Sequence, residues 1–288
     1  MYSQGMASAT RPLNGIRAVS LAVNLPGPLA AARLRELGAA VTKVEPPTGD
    51  PLAIAAPDWY RRLTIGQRVV ALDVKAQGDR EKLDELLAGA DLLLTSMRPS
   101  ALARLGLAEP QRAHPRLSLI EIVGHDGNRA ETPGHDLNYQ AAQGTLSPPA
   151  MPLVPLADVL GAERAVSTAL AALVARAGSG AGGAYRVVLE EAAARAADAA
   201  RFGLTCHGAL LGGAFPGYGI YATSDGYVAL GAIEPHFWLR TIDVFGVNGT
   251  RKSLQDRFAT STTADLETLA AEHDIPLNAV RDASTDGR

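Results

Sequence analysis

Short apolar runs alternate with helix-patterned segments through the first half of the chain. The apolar runs predict five strands, Ile16–Leu21, Ala40–Val44, Val69–Leu72, Asp91–Leu94 and Leu117–Val123. Residues 29–37 and 78–88 place their leucines on one helical face, and Gly38 follows the first helix where a positive φ is favoured. Strand, helix and strand repeated in this order predict a parallel sheet with helices on both faces, a Rossmann-like α/β fold.

Helical patterns dominate the middle of the chain, and a hairpin pattern follows them. Helices are predicted over 136–144, 157–176 and 190–201, with a glycine-rich break and a short strand, 185–189, between the last two. Ser224-Asp225-Gly226 joins two alternating segments, which is typical of a tight β-hairpin, and two or three helices follow. We therefore predict a large Rossmann-like domain over residues 1–205 and a smaller α+β domain over residues 206–288.

Composition narrows the possible partners. With 27 basic and 30 acidic residues among 288, the net charge of −3 gives no electrostatic reason to expect nucleic acid as a partner. The single cysteine, Cys206, leaves no internal disulfide and no cysteine-based zinc site, and we expect no metal. The longest nearly apolar stretch, Ala165–Ala175, is too short to span a bilayer, and the N-terminus lacks a signal-peptide pattern. We expect a soluble cytoplasmic protein that does not bind membranes.

The first strand is followed by a turn without a nucleotide-binding motif. Parallel sheets bind ligands beyond the carboxyl ends of their strands. There, Asn24-Leu-Pro-Gly-Pro28 contains neither a dinucleotide-binding glycine pattern nor a P-loop, which removes the main support for both functions.

The segment Gly134-His-Asp-Leu-Asn-Tyr139 is a candidate acid–base site. We expect Asp136 to cap the helix that follows, so that backbone N–H groups face an anion with His135 beside them. An imidazole next to fixed N–H donors suits proton transfer coupled to oxyanion stabilisation. A capping aspartate beside an ordinary histidine explains the same residues.

Other candidates are individually ambiguous. Asp158 stands in apolar surroundings at the start of a long helix, either as its cap or as a base or nucleophile in a pocket of low dielectric. Glu234 precedes Pro235, where an acidic residue commonly satisfies a helix dipole. Arg98 and Lys75 are either solvated loop cations or phosphate contacts.

A set of motifs occurs in order along the chain and carries a family resemblance. These motifs are Leu13-Asn-Gly-Ile-Arg17, Gly38-Ala-Ala-Val-Thr-Lys-Val-Glu-Pro-Pro-Thr-Gly-Asp50, Ala71-Leu-Asp-Val-Lys75, Arg98-Pro99 with Leu105-Gly-Leu107, Gly134-His-Asp-Leu-Asn-Tyr139, Asp158 and Gly231-Ala-Ile-Glu-Pro235. Together they resemble the family III CoA-transferase superfamily, the CaiB/BaiF group, over about residues 12–280. The segments around His135 and Glu234 resemble the α-methylacyl-CoA racemase branch, since transferases of this superfamily usually carry an aromatic residue at the position of His135. Asp158 matches both branches.

The resemblance implies a fold, a reaction and roles for particular residues. His135 and Asp158 would exchange protons on opposite faces of the α-carbon of a 2-methyl-branched acyl-CoA, and Glu234 would orient His135. The backbone N–H of Asp136 would bind the thioester oxygen as it becomes an enolate. Coenzyme A, present as part of the substrate rather than as a permanent cofactor, would contact a further set of residues: Leu72, Asp73, Val74, Lys75, Arg98, Gly134, Asn138 and Tyr139. Family members form interlocked homodimers.

Two departures from the family pattern keep alternatives open. Thr64-Ile-Gly-Gln-Arg68 replaces a more basic run, and relatives continue past the position of Arg288 with a segment that packs back on the large domain. A CoA-transferase that uses Asp158 as its nucleophile is the first alternative. A non-catalytic CoA-binding homologue or partner subunit is the second.

Overall fold

The computed structural model describes residues 11–282, which form two compact units; the first ends at Ala197 and the second begins at Asp198. The predicted domain boundary, 205/206, lies a few residues further along the chain. Each unit is built around its own sheet.

The first unit contains a six-stranded, fully parallel sheet in the order β3-β2-β1-β4-β5-β6. Its strands are β1 (Arg17–Ser20), β2 (Ala40–Glu45), β3 (Arg68–Ala71), β4 (Leu92–Thr95), β5 (Ser118–Val123) and β6 (Ala184–Val188). This is the strand order of a doubly wound Rossmann sheet, so the predicted fold class is confirmed. All six predicted strands are present, displaced at their ends by only a residue or two.

Helices cover both faces of this sheet. They are α1 (Pro26–Glu36), α2 (Pro51–Ala55), α3 (Pro57–Thr64), α4 (Gln77–Ala88), α5 (Pro99–Arg104), α6 (Asp136–Gln143), α7 (Leu156–Ser179) and α8 (Leu189–Ala196). Gly38 follows α1 with a φ of +110°, as its position predicts. The helix predicted over 190–201 is interrupted at Ala197 and continues in the second unit as the single turn α9 (Asp198–Arg201), so that prediction was wrong in its length.

Side chains of the central strands alternate between two cores. Leu92 and Leu94 pack with α1 and α7, whereas Leu93 points to the opposite face and packs with α4 and α5. All three leucines are fully buried. The small alanine side chains of α7 form a large share of the first core, which lets this long helix approach the sheet closely.

The second unit is a small α+β structure. Strands β7 (Tyr218–Ala222), β8 (Tyr227–Gly231) and β9 (Leu277–Ala279) form an antiparallel sheet, and α10 (Pro235–Phe245), α11 (Arg251–Ala259) and α12 (Thr263–Glu272) pack beside it. The predicted hairpin is confirmed, and Thr223 N–H donates to Gly226 O across its turn. The short strand β9 was not predicted.

Candidate active site

A cleft opens at the carboxyl ends of β1, β4 and β5. The side chains and backbone that line it come from the turns after these strands and from the starts of α6, α7 and α8; they include Asn24, Ser96, Arg98, Gly124, Gly134, His135, Tyr139, Asp158 and Leu189. The cleft therefore occupies the edge where ligands bind to open parallel sheets. It brings together His135 and Asp158, which are remote in the sequence.

His135 stands at the entrance of α6. Its backbone is extended, with φ −131° and ψ 171°, and it is the N-cap residue of the helix. Its backbone N–H donates to Asn138 Oδ1 at 3.0 Å, which fixes the direction in which the chain enters the helix. The side chain of His135 is exposed and lines the cleft.

Asp136 does not cap α6, so that expectation was wrong. Its Oδ1 atom instead accepts hydrogen bonds from the backbone N–H groups of Ala157 at 2.7 Å and Asp158 at 3.2 Å. Its side chain thus satisfies free donors in the first turn of α7, a different helix. The backbone N–H of Asp136 has no acceptor among residues 11–282 and remains available at the start of α6.

Asp158 is the third residue of α7, whose N-cap is Pro155, so the helix-cap interpretation of Asp158 is wrong as well. Its carboxyl group is half-buried and accepts no hydrogen bond from the described part of the chain. Burial, and secondly the Asp136 carboxylate, raise the pKa of Asp158 to about 7. This carboxyl group is therefore able to gain and lose a proton near neutral pH.

Tyr139 forms part of the cleft wall and explains two glycines. The ring is almost fully buried and meets the His125 ring edge-on at 5.2 Å between centroids. A Cβ atom on Gly124 would lie 2.2 Å from Tyr139 Oη, and one on Gly134 would lie 2.7 Å from Tyr139 Cε1. Only glycine fits at these two positions while the ring lies against the cleft. Burial, with a smaller contribution from nearby carboxylates, raises the pKa of Tyr139 to about 12, so the hydroxyl stays protonated.

A second cleft adjoins the first. Leu72, Asp73, Val74 and Lys75 line it together with the turn after β2. Val23, Ser96 and Met97 line both clefts, which makes the two continuous along the carboxyl edge of the sheet. Of the predicted CoA contacts, Arg98, Gly134 and Tyr139 lie in the first cleft and the Leu72–Lys75 segment lies in the second. Asn138 lines neither cleft, and its side-chain oxygen accepts from the backbone N–H of His135.

Glu234 belongs to the second unit, where it is the N-cap residue of α10 and is exposed. The hydrogen bond expected between Glu234 and His135 stays a prediction.

A buried ion pair behind the clefts was missed at the level of sequence. Lys43 Nζ lies 2.7 Å from Asp50 Oδ2, and neither side chain is exposed to solvent. Asp50 Oδ1 also accepts from the backbone N–H groups of Asn24 at 3.1 Å and Leu52 at 2.9 Å. Asn24 has a φ of +67° and lines the first cleft, so this pair holds a cleft turn in place. The Gly-Asp-Pro sequence before α2 is the signal that could have revealed the capping half of this arrangement.

The sheet order and the cleft define an α/β protein in which an imidazole and a carboxyl group line a cleft at the carboxyl edge of a parallel sheet. The chain belongs to CoA-transferase family III, whose family model matches residues 13–285. This is a family of enzymes that includes both racemases and CoA-transferases.

Individual relatives represent both reactions. The chain is 29% identical over 287 residues to α-methylacyl-CoA racemase of Homo sapiens, and the aligned region covers 88% of this chain and 73% of that protein. It is 31% identical over 157 residues to cinnamoyl-CoA:phenyllactate CoA-transferase of Clostridium sporogenes, which covers 49% of this chain and 38% of that protein.

Solved structures support the fold. The crystal structure of hypothetical protein Rv3272 from Mycobacterium tuberculosis superposes with a TM-score of 0.81 at 22% identity, covering 96% of this chain and 87% of the other. In residues 11–282, no helix is both long and apolar enough to cross a membrane.

Proposed function

We propose that the protein is an acyl-CoA racemase or epimerase that inverts the α-carbon of a 2-methyl-branched acyl-CoA through an enolate. The observation that supports this proposal is that His135 and Asp158 line one cleft. Inversion needs a proton acceptor on one face of the α-carbon and a proton donor on the other, and these two side chains supply both.

The proposed reaction has two proton transfers. One of the pair removes the α-proton, and the electron pair of the C–H bond moves toward the thioester oxygen to form the enolate. In this proposal the backbone N–H of Asp136, at the positive end of α6, donates to that oxygen. The other member of the pair then delivers its proton to the opposite face of the α-carbon, and the carbonyl re-forms.

The environment of Asp158 suits a reversible reaction. A racemase works in both directions, so each group must accept a proton in one direction and donate it in the other. A carboxyl group with a pKa of about 7 can do both at neutral pH. An ordinary solvated carboxyl group is almost fully ionised at that pH and has no proton to donate. Imidazole is the other side chain that commonly exchanges protons near neutrality.

We assign the CoA portion of the substrate to the continuous pair of clefts. Arg98 lines the first cleft and Lys75 lines the second, so cationic side chains flank the path along the sheet edge. Phosphate groups are recognised by such cations. The expected homodimer and the orientation of His135 by Glu234 belong to the same proposal.

The test is α-hydrogen exchange with separate enantiomers. Wild-type protein should incorporate deuterium from heavy water into either enantiomer of a 2-methylacyl-CoA and should interconvert them. Asp158→Asn and His135→Gln should each lower interconversion by about 10²- to 10⁴-fold. Each variant should still exchange the one enantiomer whose α-proton faces the remaining group, and the two variants should retain opposite enantiomers.

Control variants and the opposing result complete the design. His207→Gln removes an exposed imidazole of the second unit and should leave exchange unchanged. Absence of exchange by folded wild-type protein would refute the proposal. It would also be refuted if each single variant lost exchange of both enantiomers to the same extent.

A CoA-transferase is the second candidate function. The observation that favours it is the Asp158 carboxyl group, which lines the cleft and accepts no hydrogen bond within residues 11–282, so that its oxygens are open to a bound thioester. In that reaction Asp158 would attack the thioester carbonyl, release CoA thiolate and form an acyl-aspartyl anhydride. Transfer of label between free acid and thioester, with an aspartyl adduct trapped by hydroxylamine, would support it over the racemase.

A further inference from the structure

The side chains of Asp136 and Gln140 link the start of α6 to the start of α7. Asp136 Oδ1 accepts from the backbone N–H groups of Ala157 and Asp158, and Asp136 Oδ2 accepts from Gln140 Nε2 at 2.6 Å. The same Gln140 amide nitrogen donates to Val154 O at 3.0 Å. We call Asp136 and Gln140 the brace. It ties one helix of the cleft to the residues that lead into the other.

The brace acts on both proposed proton-transfer groups at once. His135 directly precedes Asp136, and the backbone N–H of Asp158 donates to Asp136. One carboxylate therefore belongs to the residue that follows His135 and holds the backbone at Asp158, so it is bonded to the segments that carry both side chains. No other side chain of the described residues accepts hydrogen bonds from Asp158, so this contact is specific to Asp136.

The connection between the two helices provides little support of its own. Met151 is 71% exposed and Leu153 is 93% exposed, so these two apolar side chains of the loop do not pack against the rest of the first unit. Gln140, in contrast, is 3% exposed; its amide nitrogen donates to Asp136 and Val154, and its amide oxygen accepts from Thr145 Oγ1 at 3.3 Å. Buried polar groups that are fully hydrogen-bonded favour a single arrangement over alternatives.

The brace also carries a negative charge next to Asp158. The titratable and charged side chains that share the cleft with Asp158 are Arg98, His135 and Tyr139, and Asp136 lies beside it. Of these, Asp136 raises the pKa of the Asp158 carboxyl, after burial, which is the larger cause.

We propose that Asp136, held by Gln140, is a positioning residue that sets the separation of His135 and Asp158 and places a negative charge beside the Asp158 carboxyl group. This inference rests on the proposed racemase function, and it assigns the Asp136 side chain a role distinct from that of its backbone N–H.

Two variants separate geometry from charge. Asp136→Asn removes the charge and keeps one amide oxygen that can accept from Ala157 and Asp158, but its amide nitrogen also gives up the hydrogen bond from Gln140, so the comparison with Gln140→Leu isolates the effect of the charge. Gln140→Leu keeps the charge but removes the amide that holds it. Gln77→Leu, on the exposed surface of α4, is the matched control for the second variant.

The first measurement does not require activity. Carbon-13 NMR of carboxyl-labelled aspartate, with Asp158→Asn used for assignment, follows the titration of Asp158. In Asp136→Asn the pKa of Asp158 should fall toward the ordinary value of an aspartate. An unchanged titration would overturn the charge role whether or not the protein proves to be a racemase.

The second measurement concerns turnover. Gln140→Leu should lower kcat for α-hydrogen exchange at least tenfold with KM changed by less than twofold, because misplaced groups slow proton transfer without weakening CoA binding. Asp136→Asn should shift the pH dependence of kcat in the same direction as the NMR titration. A wild-type kcat in Gln140→Leu would overturn the positioning role. If the wild-type protein shows no exchange, the racemase function is refuted, and the NMR titration alone then tests the effect of Asp136 on Asp158.

Discussion

Replacement of Asp50 by alanine should strongly destabilise the first unit. Lys43 and Asp50 are both completely buried, and removal of one member of such a pair leaves an uncompensated charge, at about 3–5 kcal/mol. Lys43 retains Ala22 O at 3.1 Å and lies 3.6 Å from Glu45, which reduces but does not remove this effect. The backbone N–H groups of Asn24 and Leu52 also lose their acceptor, so the total should reach about 5 kcal/mol.

Asp50→Asn is the matched variant, because its amide oxygen can still accept from Asn24 and Leu52. This variant should lose about 3 kcal/mol of unfolding free energy, because it removes the negative charge opposite Lys43 and keeps the acceptor for the two N–H groups. The double variant Lys43→Met/Asp50→Asn removes both charges and should be more stable than the sum of the single variants by at least about 1 kcal/mol. Domains of this size have a free energy of unfolding of about 5–15 kcal/mol, so Asp50→Ala should approach the limit of folding.

Trp59 makes the assay specific for the first unit. The chain has two tryptophans, Trp59 in α3 and Trp238 in α10, so a Trp238→Phe background leaves a single reporter beside this network. Tyr60, the next residue, donates to Glu45. Urea unfolding followed by this fluorescence gives the free energies. A loss below about 1 kcal/mol for Asp50→Ala, or strict additivity in the double variant, would refute the buried-pair reasoning.

Two further predictions concern the cleft. Because the pKa of Asp158 is about 7 in the folded protein against an ordinary 3.8, its protonated form contributes stability at low pH that is lost as the pH rises toward and through 7. Unfolding measured across pH should therefore show Asp158→Asn increasingly more stable than wild type between about pH 4 and pH 7, with a constant difference above; a pH-independent difference would contradict the raised pKa. Gly134→Ala should displace the Tyr139 ring and lower the rate of α-hydrogen exchange at least tenfold. Gly78→Ala, where a Cβ meets no other atom within 4 Å, should leave that rate unchanged. A wild-type rate of exchange in Gly134→Ala would show that the ring position is irrelevant.

Much of the fold could be predicted because its elements are locally encoded. The buried strands are short apolar runs, Gly38 ends α1 with a positive φ, and Asp225-Gly226 forms the predicted hairpin turn. The small elements were missed because their patterns are too short to read. Helices α2 and α3 span only a turn or two each, and β9 has three residues.

The candidate site also has features that the sequence predicts and one that it does not. His135 and Asp158 could be selected from their residue types and motif contexts, and the structure brings both into one cleft. The role of Asp136 could not be predicted, because local preference assigns an aspartate at a helix start to its own helix. Its side chain instead meets the donors of α7, a contact between residues far apart in the chain.

The amino-acid sequence alone determined the parallel-sheet class, the family and the residue types available for proton transfer, since apolar periodicity, turn residues and motifs act over a few neighbouring positions. Only the tertiary structure decided which of those residues share a cleft, that Lys43 and Asp50 are buried together, and that one carboxylate joins two helices. The physical reason is that burial, desolvation and hydrogen bonds between elements depend on which surfaces meet after folding, and local patterns carry no information about distance in space.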